Sequence, residues 1–403
     1  MSKNIVIIGG GIAAISAIKA IRETDSESEI FLFSNEKVYP YIRIRLSKGI
    51  VENLDENKIL IQKREWYEQN KVNISLDKKV TALDENSKEV VLEDGSKIKY
   101  DKLLIATGSS NRVPPIEGIN KKNIFSLRTF DDAVKMRSKI EESKKVVIIG
   151  GGVLGLEMAL MLHEDGKKVV VLEVLPRLMP NQLDDNASAI LKEKVEAHGI
   201  DVITSSVIKE ITGDEKVQGV LLEDREEIKC DMVIFSTGIM PNIDILKGSN
   251  IQCNRGVLVN NKMETNVADI YAAGDVAELN SQIPGLWNIA TSQGQVAGYN
   301  IVGKEAIYQN ITPVTSLNGL DIALFSVGIV DESKSSMALV DENKITKEYK
   351  KIFIKDSFIV GAIVIGDIKK SPLLKGAIEK RISLEDVDFS AITVDELFLK
   401  LKK

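Results

Sequence analysis

The sequence predicts an α/β protein with two Rossmann-like dinucleotide-binding domains and a small C-terminal α+β domain. Three observations carry this. A strand–helix–strand pattern with a glycine-rich first turn occurs twice, at Ile5–Phe33 and at Val146–Glu173. Each copy is followed by an apolar strand ending on Thr-Gly. From about Thr312 the pattern changes to alternating strands with a helix near Leu373–Lys380.

The first unit opens on the buried-strand run Ile5–Ile8 and turns through Gly9-Gly10-Gly11-Ile12-Ala13-Ala14, of the form G-x-G-x-x-A. Helix Ile12–Arg22 and strand Ile30–Phe33 follow. The second unit runs from Val146–Ile149 into Gly150-Gly151-Gly152-Val153-Leu154-Gly155, then a helix to Glu164 and a strand ending at Glu173. Gly150 permits the tight turn, Gly152 lets backbone approach a pyrophosphate, and Gly155 lets helix and strand pack closely. The helix N-terminus offers free N–H groups and a positive dipole end to phosphates. Val6–Gly11 repeats letter for letter as Val147–Gly152, an internal duplication. Two such units imply two nucleotides, and two nucleotides suggest electron transfer between them.

The copies differ at the acid that grips a ribose. Glu173 holds that place in the second copy, and Ser34 holds it in the first. Either Ser34, weakly, or Glu36 from the following loop takes the adenosine ribose there. Next, Tyr39–Lys48 carries three cations, Arg43, Arg45 and Lys48, and Pro40 breaks the strand pattern. It reads equally as a solvated basic turn or as a cationic lining for a pyrophosphate or a reduced flavin. A short helix (Trp66–Gln69), a strand (Val72–Ser75) and a hairpin around Asp94-Gly95 lead to the strand closing on Thr107-Gly108. Val113-Pro114-Pro115 is a stiff connector, and Leu127-Arg128-Thr129 precedes a helix over Phe130–Glu142.

The second half keeps this order: helix Asp184–His198, a strand near Val202–Thr204, a hairpin region Val217–Lys229, then Thr237-Gly238 with Pro241-Asn242. An apolar strand then ends on Gly274-Asp275. Asp275 suits a hydroxyl-rich ligand, or caps a following helix. The helix Trp287–Asn300 carries small residues on one side, suited to close packing against a ligand or a strand.

Bulk properties narrow the function classes. At 403 residues the chain is expected to form two or three domains, and 44% apolar and 28% charged content is ordinary for a soluble globular enzyme. No apolar run is long enough to span a bilayer, and the N-terminus enters a strand at once, so a signal peptide is not expected. A net charge of −6 with no basic block argues against nucleic acid. The C-terminal module is charge-balanced, and its pairs Lys350-Lys351, Lys369-Lys370 and Lys380-Arg381 are either solvated surface or a face for an acidic partner. Cys230 and Cys253 form no C-x-x-C pair, which fits a reducing cytoplasm. His163 and His198 lack partner motifs and read as structural.

The ordered set GGGIAA, PYIRIRLSK, LLIATGS, LRTFDDA, GGGVLGLE, VLEVLPR, FSTGIMPN and DIYAAGDVAE resembles the FAD-dependent pyridine-nucleotide oxidoreductases with two dinucleotide-binding domains. The helix PGLWNIATSQGQVAGYN and the short C-terminal module are similar to the NADH:rubredoxin reductase and assimilatory nitrite reductase-like branch. The resemblance implies an FAD domain of residues 1–112 and 243–311, an NAD domain of 113–242, and a C-terminal interface domain of 312–403. It places Gly9, Gly11, Ala14, Ser34 or Glu36, Arg43, Thr107, Gly108, Arg128, Asp275 and Trp287 around FAD. It places Gly150, Gly152, Gly155, Glu173 and Gly238 around NADH. Lys48 lies by the flavin N5 side, with Glu157 pointing toward it and the nicotinamide. No cysteine falls near Arg45–Lys48, where several related branches carry a redox thiol, so the flavin is expected to be the only redox centre. The implied acceptor is a small iron protein, rubredoxin or ferredoxin; an NADH oxidase or a slow redox sensor are the other readings.

Overall fold

The computed structural model describes residues 2–402 except 53, 225 and 390. The chain forms two compact units, one of residues 1–112, 128–134 and 238–310, the other of 113–127, 135–237 and 311–403.

The first unit is built on a five-stranded parallel sheet in the order Ile270–Ala272, Lys102–Ile105, Asn4–Ile8, Glu29–Phe33, Val72–Ser75. Its central strands are continuous apolar runs because a parallel sheet is covered on both faces, and Ile5–Ile7 and Leu103–Ile105 are fully buried. Helix Ile12–Arg22 packs directly on helix Trp287–Ile301. Glycine permits that approach. A Cβ on Gly294 would lie 2.1 Å from the Ala13 carbonyl oxygen, and one on Gly298 would lie 2.4 Å from that of Ala17. The small side of Trp287–Ile301 therefore serves a helix–helix contact, where the sequence suggested a ligand or a strand. A three-stranded antiparallel sheet, Val80–Asp84, Glu89–Leu92 and Lys97–Lys99, completes the hairpin region.

The second unit repeats the plan. Its parallel sheet runs Asp201–Ile203, Lys168–Leu172, Lys145–Ile149, Met232–Phe235, Ile124–Ser126. Val6 pairs with Phe31 in the first sheet, and its counterpart Val147 pairs with Val170 in the second. The fifth strand breaks the repeat. Ile270–Ala272 comes after its nucleotide unit and delivers Gly274-Asp275, whereas Ile124–Ser126 comes before its unit.

The same compact unit holds the C-terminal module, an antiparallel sheet ordered Val314–Gly319, Ile322–Gly328, Phe358–Ile365, Glu348–Lys355, Met337–Asn343. Helices Ser371–Glu379 and Val394–Lys400 supply Leu374, Ala377, Leu397 and Phe398 to the same apolar core as Ile352, Ile354 and Val364. The sequence reading missed strand Met337–Asn343, a largely exposed edge ending on Asp-Glu-Asn. It also missed the two-turn helix Val394–Lys400, whose Thr393/Glu396 capping box was visible in the sequence.

Asp184 ties the module to the nucleotide half. It caps helix Asp185–Ala197 by accepting from the Ala187 N–H at 2.9 Å, and it accepts from Lys351 Nζ at 2.7 Å and Tyr349 Oη at 2.8 Å. Lys351 also pairs with Glu332. Lys350 pairs with Asp341 at 2.9 Å and Lys370 with Asp395 at 3.5 Å. Lys350, Lys351 and Lys370 are thus paired with carboxylates, while Lys369, Lys380 and Arg381 are exposed and have no ion pair among the described residues, so solvated surface and a face for an acidic partner both stand as readings. His198 pairs with Asp321 at 2.5 Å, the structural role its sequence context suggests.

Candidate functional site

Both glycine-rich turns have the geometry of a phosphate cradle. Gly9 and Gly150 have φ of +111° and +117°, where side chains are strained. A Cβ on Gly9 would lie 2.1 Å from the Ala106 carbonyl oxygen, and one on Gly150 would lie 2.2 Å from that of Ser236. Each turn thus presses on the strand end carrying the Thr-Gly motif. A Cβ on Gly155 would meet the Gly150 carbonyl oxygen at 2.1 Å, while Ala14 is fully buried at the matching place. Gly11 and Gly152 differ from these: a Cβ there would meet nothing within 4 Å. Both are helix N-caps with extended backbone and no side-chain cap, so the first N–H groups are free for an anion. The residues present fit two pyrophosphate groups.

At the ribose position the two copies share one geometry with different chemistry. Glu173 is buried; one carboxylate oxygen accepts from the Gly151 N–H at 2.7 Å and the other from the Leu175 N–H at 2.9 Å. Ser34 is buried at the same place, its Oγ accepting from the Glu36 N–H at 3.2 Å. Glu36 is engaged elsewhere, accepting from Arg43 Nη2 at 2.6 Å and from Tyr41 Oη at 2.7 Å. Arg43 also donates to Tyr41 Oη at 2.8 Å and to the Arg128 carbonyl. Burial opposes its charge, but the Tyr41 and Glu36 oxygens outweigh that, and its pKa lies above the ordinary value. Glu36 thus already holds Arg43 and Tyr41 through its two carboxylate oxygens.

Arg128, Ser109 and Asp275 converge. Arg128 Nη2 donates to Asp275 Oδ2 at 2.7 Å, Ser109 Oγ donates to the same oxygen at 2.9 Å, and Arg128 Nε donates to the Ser109 carbonyl at 2.8 Å. No helix begins at Asp275, so the helix-cap alternative falls. The Gly274 N–H donates to Gln293 Oε1 at 2.9 Å from a buried side chain on helix Trp287–Ile301. Thr107 Oγ1 donates to the Asn242 carbonyl at 2.8 Å, and Asn242 Nδ2 donates back to the Thr107 carbonyl at 2.9 Å. Gly108 and Gly238 have φ of +65° and +95°, which lets the chain leave each strand end sharply. Ser109, Tyr41 and Gln293 escaped the sequence reading, and Asn242 entered it only as part of the Pro241-Asn242 pair, with no partner assigned. Gln293 alone carried a signal, as a polar residue on an otherwise small helix side.

Lys48 is exposed in helix Leu46–Gly49, and Glu157 is half-buried in helix Val153–Glu164. Trp287 starts its helix half-buried. Burial, with Asp231 and Glu227 nearby, pushes the Cys230 thiol up to about 12, and burial also raises that of Cys253. Neither is a ready nucleophile. A cavity of about 680 Å³ between the loops of residues 177–186 and 328–334 is lined by charges that satisfy one another, including Arg177 with Asp185 at 2.7 Å. Among the described residues no group of three or more His, Cys, Asp or Glu is placed to hold a metal ion. No described helix is long and apolar enough to cross a membrane.

Comparisons with known proteins show the family. Residues 3–294 match the pyridine nucleotide-disulphide oxidoreductase model, and residues 313–382 match the rubredoxin NAD+ reductase C-terminal domain. The NADH-rubredoxin oxidoreductase of Clostridium acetobutylicum is 37% identical over 96% of this chain and 97% of its own. A crystal structure of the NADH:rubredoxin oxidoreductase from that organism superposes with a TM-score of 0.81 at 34% identity, covering 99% of this chain and 100% of the other. An NADH oxidase of Methanocaldococcus jannaschii is 31% identical over 95% of this chain and 92% of its own. With that model matching residues 3–294 and a relative 37% identical over nearly its whole length, the chain belongs to the pyridine nucleotide-disulphide oxidoreductase family.

Proposed function

We propose that this chain takes a hydride from NADH onto FAD and passes the electrons singly to a small iron protein, a rubredoxin. One observation carries the reading: the Clostridium relative named for that reaction aligns over 96% of this chain and 97% of its own length. The balance is one NADH and two ferric rubredoxins giving NAD+, one proton and two ferrous rubredoxins. Bound FAD supplies the conversion between hydride and single-electron chemistry.

The residues divide that work. Gly9, Gly11 and Ala14 hold the FAD pyrophosphate at the uncapped start of helix Ile12–Arg22. Asp275, oriented by Arg128 and Ser109, accepts hydrogen bonds from the ribityl region. Ser34, Arg43, Thr107, Gly108 and Trp287 shape the remainder. Gly150, Gly152, Gly155 and Gly238 form the NADH cradle, and Glu173 faces the adenosine ribose, where a carboxylate repels a 2′-phosphate. Arg177, the nearby cation that would favour a phosphate, is drawn to Asp185. NADH is therefore the donor. Lys48 and Glu157 adjust the charge at the reacting ring. The reading divides the chain into residues 1–112 and 243–311 for FAD, 113–242 for NAD and 312–403 as the interface module. A reducing cytoplasm suits two unpaired cysteines.

Lys48→Met tests the charge role. FAD stays bound and stopped-flow flavin reduction by NADH slows; normal reduction removes Lys48 from the mechanism. The Methanocaldococcus relative supports a second reading with oxygen as acceptor. Turnover with rubredoxin, ferredoxin and oxygen compared under anaerobic control separates the two, and slow turnover with all three marks a redox sensor.

A further inference from the structure

The middle glycine of the second turn is held on both sides. The Gly151 N–H donates to Glu173 at 2.7 Å, and the Gly151 carbonyl accepts from the Met179 N–H at 3.0 Å. In a trans peptide the carbonyl and the next N–H point in opposite directions. Pinning the Gly151 carbonyl on Met179 therefore aims the Gly152 N–H away from Met179. Gly152 is the open place in this turn, where a Cβ would meet nothing within 4 Å. Met179 itself is fully buried with φ of +47°, a left-handed backbone that a side chain adopts only where its surroundings impose it. The first unit cannot make this bond. Pro40 stands six residues after Ser34, as Met179 stands six after Glu173, and proline has no N–H to give.

What imposes that backbone reaches into the C-terminal module. The Gln182 and Leu183 N–H groups close a turn on the Met179 carbonyl at 2.9 and 3.0 Å. Buried Ser326, from strand Ile322–Gly328, donates to the Gln182 carbonyl at 2.6 Å. Buried Lys351, from strand Glu348–Lys355, holds Asp184 at 2.7 Å. Ser188, in the helix that Asp184 caps, donates to the Leu178 carbonyl at 3.0 Å, so the peptide that presents the Met179 N–H is fixed at its other end too. We infer that Ser326 and Lys351 are positioning residues for the NADH cradle: through residues 178–184 they orient the Gly151–Gly152 peptide whose N–H meets the NADH pyrophosphate. The inference rests on the reading under Proposed function that the second unit takes NADH. A hydrogen bond from a main-chain N–H to an anion is strong and directional, so a peptide free to tilt binds the phosphates less well. The loop supports the phosphate turn and carries no reacting group. Its release weakens ground state and transition state alike, which moves affinity and leaves the chemical step in place.

The test is calorimetric titration of the FAD-loaded enzyme with ADP-ribose, which carries the pyrophosphate and both riboses without the nicotinamide. In a Ser326→Ala/Lys351→Met variant its Kd rises by about fivefold or more. In anaerobic stopped-flow flavin reduction, the NADH concentration giving half the limiting rate rises by the same factor, while the limiting rate changes by less than about twofold. Leu397→Ala, in the module's own apolar core, separates positioning from general loosening: it lowers the melting temperature and leaves ADP-ribose affinity at the wild-type level. If the double variant folds poorly, Ser326→Ala takes its place, with a smaller rise in the same direction. Wild-type ADP-ribose affinity in a folded variant, or an equal loss in Leu397→Ala, overturns the positioning role alone. A wild-type enzyme that neither binds ADP-ribose nor is reduced by NADH overturns the NADH reading and the positioning role together.

Discussion

The two nucleotide units share a turn, a sheet order and a register, yet each holds its ribose position differently. In the second, Glu173 stands with both carboxylate oxygens on backbone N–H groups, and the cradle is nearly complete within Val146–Glu173. In the first, Ser34 replaces the acid, and distant segments converge instead: Arg128 from beyond the connector, Asp275 from the fifth strand and Gln293 from the last helix of the unit. A cofactor that comes and goes each turnover needs one compact cradle. A cofactor that stays is gripped by several segments folded around it. On the proposed assignment of NADH to the second unit and FAD to the first, the same duplicated element serves a substrate or a prosthetic group, depending on what the rest of the chain adds.

The largest expected effect tests that difference in the first unit. Asp275→Ala leaves the half-buried Arg128 without its carboxylate and removes the proposed acceptor for the ribityl side, so the proposal predicts that FAD retention falls by about tenfold or more. The flavin-to-protein absorbance ratio after purification measures this; full FAD content would dissolve the contrast. Next comes the second unit's link to its module. Asp184→Ala removes a helix cap and one of the two carboxylate partners of buried Lys351, lowering stability by about 2 kcal/mol in chemical denaturation. Burial works against the Asp184 charge, but Lys351, the Ala187 N–H and Tyr349 outweigh it and hold its pKa below the ordinary carboxylate value. For a depressed carboxylate the stabilisation is complete above the unfolded pKa of about 4 and is lost as pH falls below it. The variant should therefore match the wild type in acid and differ from it near neutrality; a gap that persists in acid contradicts the assignment.

Smaller effects separate the ribose positions. Glu173→Ala narrows the NADH-over-NADPH ratio of kcat/KM by about tenfold, whereas Ser34→Ala changes FAD affinity by less than about threefold. Equal consequences at the two positions would mean that the first cradle depends on its ribose residue as the second does. The smallest effect is Cys230→Ala, with turnover within about twofold of wild type, because a buried thiol with a raised pKa takes no part.

Much of this was legible in the sequence. The G-x-G-x-x-G and G-x-G-x-x-A turns, the Thr-Gly strand ends and Asp275 are local patterns whose residue types follow from backbone geometry. Helix Asp185–Ala197 lay within a residue of its expected span because Asp184 is a strong cap. What the sequence hid was long-range. Ser109 meets Asp275 across 166 positions, and Tyr41 meets the Phe130 N–H across 89. The choice between Ser34 and Glu36 stayed open because the Arg43–Glu36 pair depends on how a loop folds back. The pairing of Lys351 was hidden too, since its partner Asp184 lies in another element 167 positions away.

The central claim is that electrons from NADH leave this chain toward a small iron protein. Anaerobic steady-state turnover with rubredoxin, set beside oxygen consumption by the same preparation, tests it most directly. The account predicts rubredoxin reduction on the order of 10 per second, two ferrous products per NADH, with oxygen consumed far more slowly. Oxygen turnover equal to or faster than rubredoxin reduction would contradict it.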